Sequence, residues 1–311
     1  MKTMRDALIE GIYRRMHDDR QIYFLSADMG APILDKLRVD FKDRFINVGI
    51  AEQNLVNVAA GLALEGFTVY AYAIAPFLLR SYEQIRVNLA LSSQVRELNV
   101  NIIGVGAGVS YDISGPTHHC LEDISVMRTL PNMVVFSPSD SYLAQSFVDY
   151  SIQMKKPKYI RLDGKPLPFI YCERMAPSFE NGFYELEKGE TICIVSSGFM
   201  THMALEISKN INSDAIGVVD VFMLKPINEK SLLEVLKQYK TVITLEEAFI
   251  GKGGLDSLVL ALVNDCQADI QIKRFGFKDE YVFKFGNRDF LYGQSGFNKE
   301  SVLEWILTQH S

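Results

Sequence analysis

Along most of this chain, short runs rich in β-branched and aromatic residues alternate with segments of helical period, the pattern of parallel strands joined by crossover helices. Parallel neighbours cannot be linked by a tight turn, so each connecting helix has to lie on a face of the sheet. The strand-like runs are QIYFLSAD, FTVYAYAIA, NVNIIGVG and PKYIRLDG in the first half, then TICIVSSG, AIGVVDVFML and TVITLEEAF. Helices are expected at about 4–17, 51–64, 77–92, 140–154, 201–210 and 229–238. On the second of these, Leu55, Val58, Ala59 and Leu62 recur at i, i+3, i+4 and i+7, so that face is expected to pack on the sheet. The stretch LPFIYCERMAPSFENGFYELEKG has Pro, Asn-Gly and Gly signals without helical period, and it interrupts the alternation. The expected fold is therefore α/β, with two domains that are each a mainly parallel sheet flanked by helices. Their expected bounds are 1–167 and 188–311, with a crossing segment at 168–187.

Length agrees with two cores, since a chain of 311 residues exceeds what one hydrophobic core usually spans. With 38 acidic and 32 basic side chains the formal charge is −6, and no dense Lys/Arg block occurs, which argues against nucleic acid as a partner. No apolar run approaches the roughly 18 residues of a membrane span, and MKTMRDALIEGIYRR lacks the apolar stretch of a signal peptide. A cytoplasmic protein is expected. The four cysteines, Cys120, Cys172, Cys193 and Cys266, show no CxxC spacing, so buried reduced thiols are expected rather than disulfides or a zinc site.

Glu52 stands where a strand ends and a helix begins, in NVGIAEQNLV. An acid in the first helical turn is favoured by the macrodipole alone, so its position by itself assigns no chemistry. The run FINVGIAEQNLVNVAAGLALEGF, however, resembles the pyrimidine-binding domain of transketolases and of deoxyxylulose-phosphate synthases. That resemblance implies thiamine diphosphate, with Glu52 as the carboxylate that hydrogen-bonds the far nitrogen of the aminopyrimidine ring and so activates the cofactor. PFLLRSYEQIR resembles the segment whose first aromatic stacks on that ring, which falls on Phe77. Arg80 and Tyr82 match positions near cofactor or substrate, and Asp28 in LSADMG matches an acid of the cofactor pocket. Read without the resemblance, Phe77 is core packing, Arg80 an ordinary helix-start residue and Asp28 a turn former. In SGPTHH, His118 takes the place of a family histidine that lines the substrate channel and moves protons; imidazole suits that task because it titrates near neutrality. Glu122 and Asp123 read as N-terminal helix charges. VSSGFMTHMALEIS, VVDVFMLKPINEKSLLEV and TLEEAFIGKGGLDS resemble the C-terminal domain of the same family.

One family element is missing. No Gly-Asp-Gly occurs to hold the diphosphate through Mg2+, and Leu162-Asp163-Gly164 ends a strand in the wrong setting. The glycines at 104, 106 and 108 lack the helix and acid of a dinucleotide fingerprint. The resemblance thus implies half of a split enzyme: a partner chain holds Mg2+ and the diphosphate, two copies of each chain assemble, and no metal is bound here. The implied activity is transfer of a two-carbon ketol unit between sugar-like substrates. A 2-oxo-acid dehydrogenase beta chain, a deoxyxylulose-phosphate-synthase-like decarboxylative enzyme and a non-catalytic assembly subunit stand as alternatives. Two positions depart from the pattern: Asp112-Ile113-Ser114-Gly115 replaces a Gly-Glu-Asp-Gly loop, and Asp163-Gly164 stands where relatives place a phosphate-pairing Arg. An acid there would repel a phosphate, so an unphosphorylated, modified or nucleotide-linked sugar is expected, although Arg161 and Lys165 are neighbouring cations able to compensate.

Overall fold

The computed structural model describes residues 2–175, 177–211 and 216–309. The chain forms two compact units, one of Met1–Ala107 and Met127–Cys172, the other of Gly108–Val126 and Glu173–Ser311. In the first run α1 (Met4–Asp18), β1 (Ile22–Ser26), α2 (Pro32–Asp40), β2 (Phe45–Asn47), α3 (Glu52–Leu64), β3 (Thr68–Ile74), α4 (Ala75–Leu78), α5 (Tyr82–Gln84) and β4 (Val100–Val105). After α6 (Asp123–Arg128) come β5 (Val134–Phe136), α7 (Ser141–Gln153) and β6 (Lys158–Leu162). The second unit continues with β7 (Phe183–Glu187), β8 (Ile192–Ser196), α8 (Phe199–Asn210), β9 (Ile216–Val221), β10 (Met223–Lys225), α9 (Glu229–Leu236) and β11 (Thr241–Phe249). It ends with α10 (Leu255–Asp265), β12 (Gln271–Phe277), α11 (Arg288–Ser295) and α12 (Lys299–Gln309).

Strands of the first unit lie in the order β5-β6-β4-β3-β1-β2, every pair parallel. Helices cover both faces of such a sheet, so its central strands are buried on both sides, as β4 is throughout. Order reverses at β1, which has β2 on one side and β3 on the other. At such a switch point the loops leaving the carboxyl ends of neighbouring strands diverge, and the crevice between them is where open α/β sheets bind ligands. Asp28 follows β1, Glu52 follows β2 and Phe77 follows β3. Caps fix the flanking helices: Thr3 Oγ1 accepts from Asp6 N–H at 3.1 Å, and Asp140 Oδ1 accepts from Leu143 N–H at 2.7 Å. The other oxygen of Asp140 takes the N–H groups of Ile170 and Tyr171, each at 2.7 Å, which pins the end of the unit to α7.

The second unit orders its strands β12-β11-β8-β9-β7, parallel except for β7 against β9. The close of the expected crossing segment is therefore an antiparallel edge strand, entered through Gly182 at φ +82°. Ala215, first residue of the expected strand AIGVVDVFML, lies outside the described residues.

Two helical expectations change in detail. The buried face of α3 is Glu52, Leu55, Val56, Ala59, Ala60 and Ala63, whereas Val58 and Leu62 are only partly buried. The apolar stripe is thus rotated by about one residue, which puts Glu52 at its head. The helix expected at 77–92 is composite: α4, a 3-10 turn at Leu79–Ser81, α5, a π stretch at Ile85–Leu91 and another 3-10 turn. Serine hydroxyls explain much of this, because they bond carbonyls that a regular ladder would use. Ser81 Oγ donates to Leu78 O at 2.7 Å, and Ser92 Oγ to Val87 O, five residues back, at 3.0 Å. No described helix is long and apolar enough to cross a membrane.

Candidate functional site

In the first unit, the site begins with a tie across the switch point. Asp28 holds φ +54°, a left-handed conformation that Asp tolerates better than most residues. Its N–H donates to Asn47 Oδ1 at 3.0 Å, and Asn47 Nδ2 returns a bond to Asp28 Oδ1 at 2.9 Å. Asn47 Oδ1 also takes the Gly49 N–H at 3.0 Å, so one amide side chain sets the turn that delivers Glu52 to the start of α3. Asn47 is a residue that the sequence does not single out; its position at the end of β2, shared with the acid that ends β1, is the available signal.

Glu52 is 3% exposed, and its Oε2 is buried without a hydrogen-bond partner among the described residues. Arg80 Nη1 comes to 3.8 Å from that oxygen, too far for a hydrogen bond, and the Arg80 side chain is largely in water. Gln53 Nε2 donates to the Arg80 carbonyl at 3.4 Å, linking α3 to the composite helix. Phe77 sits half-buried in α4 directly after β3, and Tyr82 OH pairs with Thr129 Oγ1 at 3.1 Å. A buried carboxylate oxygen without a donor is costly, so the geometry fits a ligand that brings an N–H to it.

His118 belongs to the second unit. It is half-buried, with Nδ1 3.0 Å from Thr117 Oγ1. Its neighbour His119 is buried, with Nε2 3.4 Å from the Asp112 carbonyl, and burial pushes that imidazole below its ordinary range. The structure thus groups Asp28, Glu52, Phe77, Arg80 and Tyr82 in one unit and puts His118 in the other. The loop at 108–126 leaves the expected first domain for a physical reason: Val109 N–H donates to Glu247 Oε1 at 3.0 Å, and Val109 and Leu121 join the second unit's core. Glu247, buried at 3% exposure, is the principal residue that the sequence does not signal.

At the two departing positions the acids are turned inward. Asp112 is buried and accepts the Ile113 N–H at 2.9 Å; Asp163 is buried and accepts the Lys165 N–H at 2.7 Å. Cys120 and Cys193 are buried, but Cys172 and Cys266 are exposed, which corrects the expectation for those two. Among the described residues, no group of three or more His, Cys, Asp or Glu side chains is arranged to hold a metal ion.

Comparison with known proteins agrees with the architecture. The pyrimidine-binding domain of transketolase matches residues 1–168, and the transketolase C-terminal domain matches residues 184–302. The chain is 35% identical over 273 residues to one subunit of the apulose-4-phosphate transketolase of Actinobacillus succinogenes, covering 86% of each chain. It is 30% identical over 314 residues to a putative transketolase C-terminal section of Methanocaldococcus jannaschii, covering 99% of this chain and 96% of that one. A solved structure described as a split gene transketolase, inactive beta4 tetramer, superposes with a TM-score of 0.87 at 31% identity, covering 99% of this chain and 98% of that one.

Proposed function

This chain belongs to the transketolase family, and on that premise we propose that it is the C-terminal subunit of a split transketolase. The enzyme it completes moves a two-carbon ketol unit from a ketose donor to an aldehyde acceptor. A second polypeptide, resembling the N-terminal half of a transketolase, holds the diphosphate and its Mg2+, and two copies of each chain assemble. Thiamine diphosphate supplies a stabilised carbanion equivalent for carbon–carbon cleavage and formation.

Buried, donor-less Glu52 Oε2 is the observation that most supports this. Glu52 would accept a hydrogen bond from the aminopyrimidine ring and so favour the form of the cofactor that serves as its internal base. Low exposure strengthens that bond, because no water competes for the oxygen. Phe77 offers its ring face to the pyrimidine, an offset stack of about 1 kcal/mol beyond area burial. Arg80 brings positive charge toward the same carboxylate from the solvent side. The Asp28–Asn47 pair holds the β1 and β2 ends in register around the pocket. His118 exchanges protons with the hydroxyls of the sugar-like substrate, the kind of general acid–base task an imidazole can perform.

The similar split gene transketolase is an inactive beta4 tetramer, which is consistent with a chain of this kind needing its complement. Reconstitution tests the proposal. The purified chain with thiamine diphosphate and Mg2+ is expected to be silent toward ketose donors, and adding the diphosphate-binding partner is expected to restore turnover. Turnover by the chain alone would refute the split assignment.

A further inference from the structure

The second unit contains a buried polar hub that the proposed chemistry does not use. Glu247, near the end of β11, accepts hydrogen bonds on both oxygens. Oε1 takes Val109 N–H at 3.0 Å, Arg288 Nε at 3.0 Å and Tyr292 OH at 2.6 Å; Oε2 takes Arg288 Nη2 at 3.0 Å. Arg288 is itself buried, its guanidinium lying 3.9 Å over the Phe199 ring. The hub therefore joins the first residues of the 108–126 loop to α11, using groups that water barely reaches.

Further contacts follow the same loop. Gly108 has φ +58°, and a Cβ there would lie 2.1 Å from Glu247 Oε2, so the backbone reaches the carboxylate only because the residue is glycine. Gly108 and Cys120 form an antiparallel bridge that closes the loop's base, with Cys120 N–H donating to Gly108 O at 2.8 Å. Gly115, three residues before His118, has φ +78°, and a Cβ there would lie 2.8 Å from the Phe285 ring. Glu122 accepts a hydrogen bond from Tyr281, whose phenol is raised by it. Loop residues 109, 115 and 122 are thus each held by side chains of β11 or of the stretch 281–292.

From this arrangement we infer that Glu247, with Arg288 and Tyr292, is a positioning device that sets where the 108–126 loop presents His118. The C-terminal domain then acts in the reaction through the loop it holds, rather than only completing the fold. This rests on the function proposed above for His118. A bidentate guanidinium and a phenol fix a carboxylate in direction as well as place, which is what a loop-borne proton carrier needs if its ring is to meet the substrate within tenths of an ångström.

Tyr292→Phe and Glu247→Gln test the inference, the first keeping the ring and removing one hydroxyl. Amide hydrogen exchange of the full chain is expected to quicken about tenfold over residues 108–122 in Tyr292→Phe, the factor for one lost charge-assisted hydrogen bond, while β1–β4 amides do not change. In the reconstituted complex, kcat/KM for the ketose donor is expected to fall roughly 10- to 100-fold in both variants. Proton exchange at the cofactor's reactive carbon, which reports Glu52, stays unchanged. Unaltered loop exchange would overturn the inference, as would quickened exchange with undiminished donor kcat/KM in the folded complex, since that is what a merely structural hub gives. His118→Asn serves as the control: if it leaves donor turnover intact, the proton role of His118 falls, and with it the inference, whatever the exchange data show.

Discussion

Replacing Glu52 by Gln should leave the isolated chain as stable as before or slightly more stable, although the residue is buried. Substitutions at buried positions usually destabilise, by around 1 kcal/mol at the centre of the distribution. Here the balance runs the other way. Holding a polar oxygen out of water without a hydrogen bond costs about 1–3 kcal/mol, and Oε2 is in that state. Two terms offset it. Glu52 is the first residue of α3, where the helix dipole returns about 0.3–1 kcal/mol to an anion. Arg80 contributes about 0.2–1 kcal/mol at most, because its side chain is 65% exposed and its nitrogen stands 3.8 Å away. The residue is then left costing the fold on the order of 1 kcal/mol; Gln gives up both charge terms but also the extra desolvation of a carboxylate, so the net change is near zero or slightly favourable. Thermal unfolding of the cofactor-free chain should show the variant melting at the same temperature or about 2–4 °C higher. The same variant should lose cofactor proton exchange in the reconstituted complex. A drop in melting temperature of more than about 4 °C would refute the argument, since it would mean that Oε2 makes a bond that the fold depends on.

Phe77→Ala should weaken thiamine diphosphate binding to the complex about tenfold, because on the function proposed above its half-buried ring stacks on the aminopyrimidine; calorimetric titration checks this. Glu246 is fully buried beside Asp256, and its carboxyl is pushed up to about 8, first by desolvation and then by that neighbouring charge. An acid whose folded pKa is raised binds more protons folded than unfolded, so stability is full below the ordinary carboxylate range and is lost as pH rises through about 8. Urea unfolding of the second unit should therefore weaken between about pH 5 and 8, by no more than about 1.4 kcal/mol per pH unit, and Glu246→Gln should flatten that slope. Gly108→Ala should cost more than about 2 kcal/mol and deplete soluble protein, because its Cβ would collide with Glu247 at a left-handed backbone position.

What the sequence discloses about the fold divides by distance along the chain. Alternation of strand-like and helical runs is local, and the parallel sheets follow from it. The composite helix after β3 escapes because its irregularity comes from Ser81 and Ser92 hydroxyls choosing particular carbonyls, a geometric outcome that apolar periodicity does not encode. On α3, Leu62 and Val58 fit a stripe as well as Val56 and Ala60 do, so a one-residue rotation of the buried face cannot be read from residue types alone. That rotation matters, since it brings Glu52 from the flank of the expected stripe to the head of the buried one. The loop's change of unit is longer-range still. Val109 meets Glu247 across 138 positions, and nothing near either residue announces the other.

The buried glutamates show why local sequence context is an incomplete guide to a site. Glu52, Glu246 and Glu247 are all nearly inaccessible, at 3%, 1% and 3% exposure. Glu246 accepts the Leu255 and Asp256 N–H groups at 2.8 and 2.9 Å, closing the start of α10, and Glu247 is saturated by a guanidinium, a phenol and an amide. Both oxygens of each are engaged inside the chain, so these two carboxyl groups serve the fold. Glu52 alone of the three keeps a buried oxygen that is not spent. On the function proposed above, that oxygen is completed by a ring N–H of the cofactor, at a helix start beside the sheet's switch point. The same residue type therefore serves opposite ends, and the number of donors already in place is what separates them.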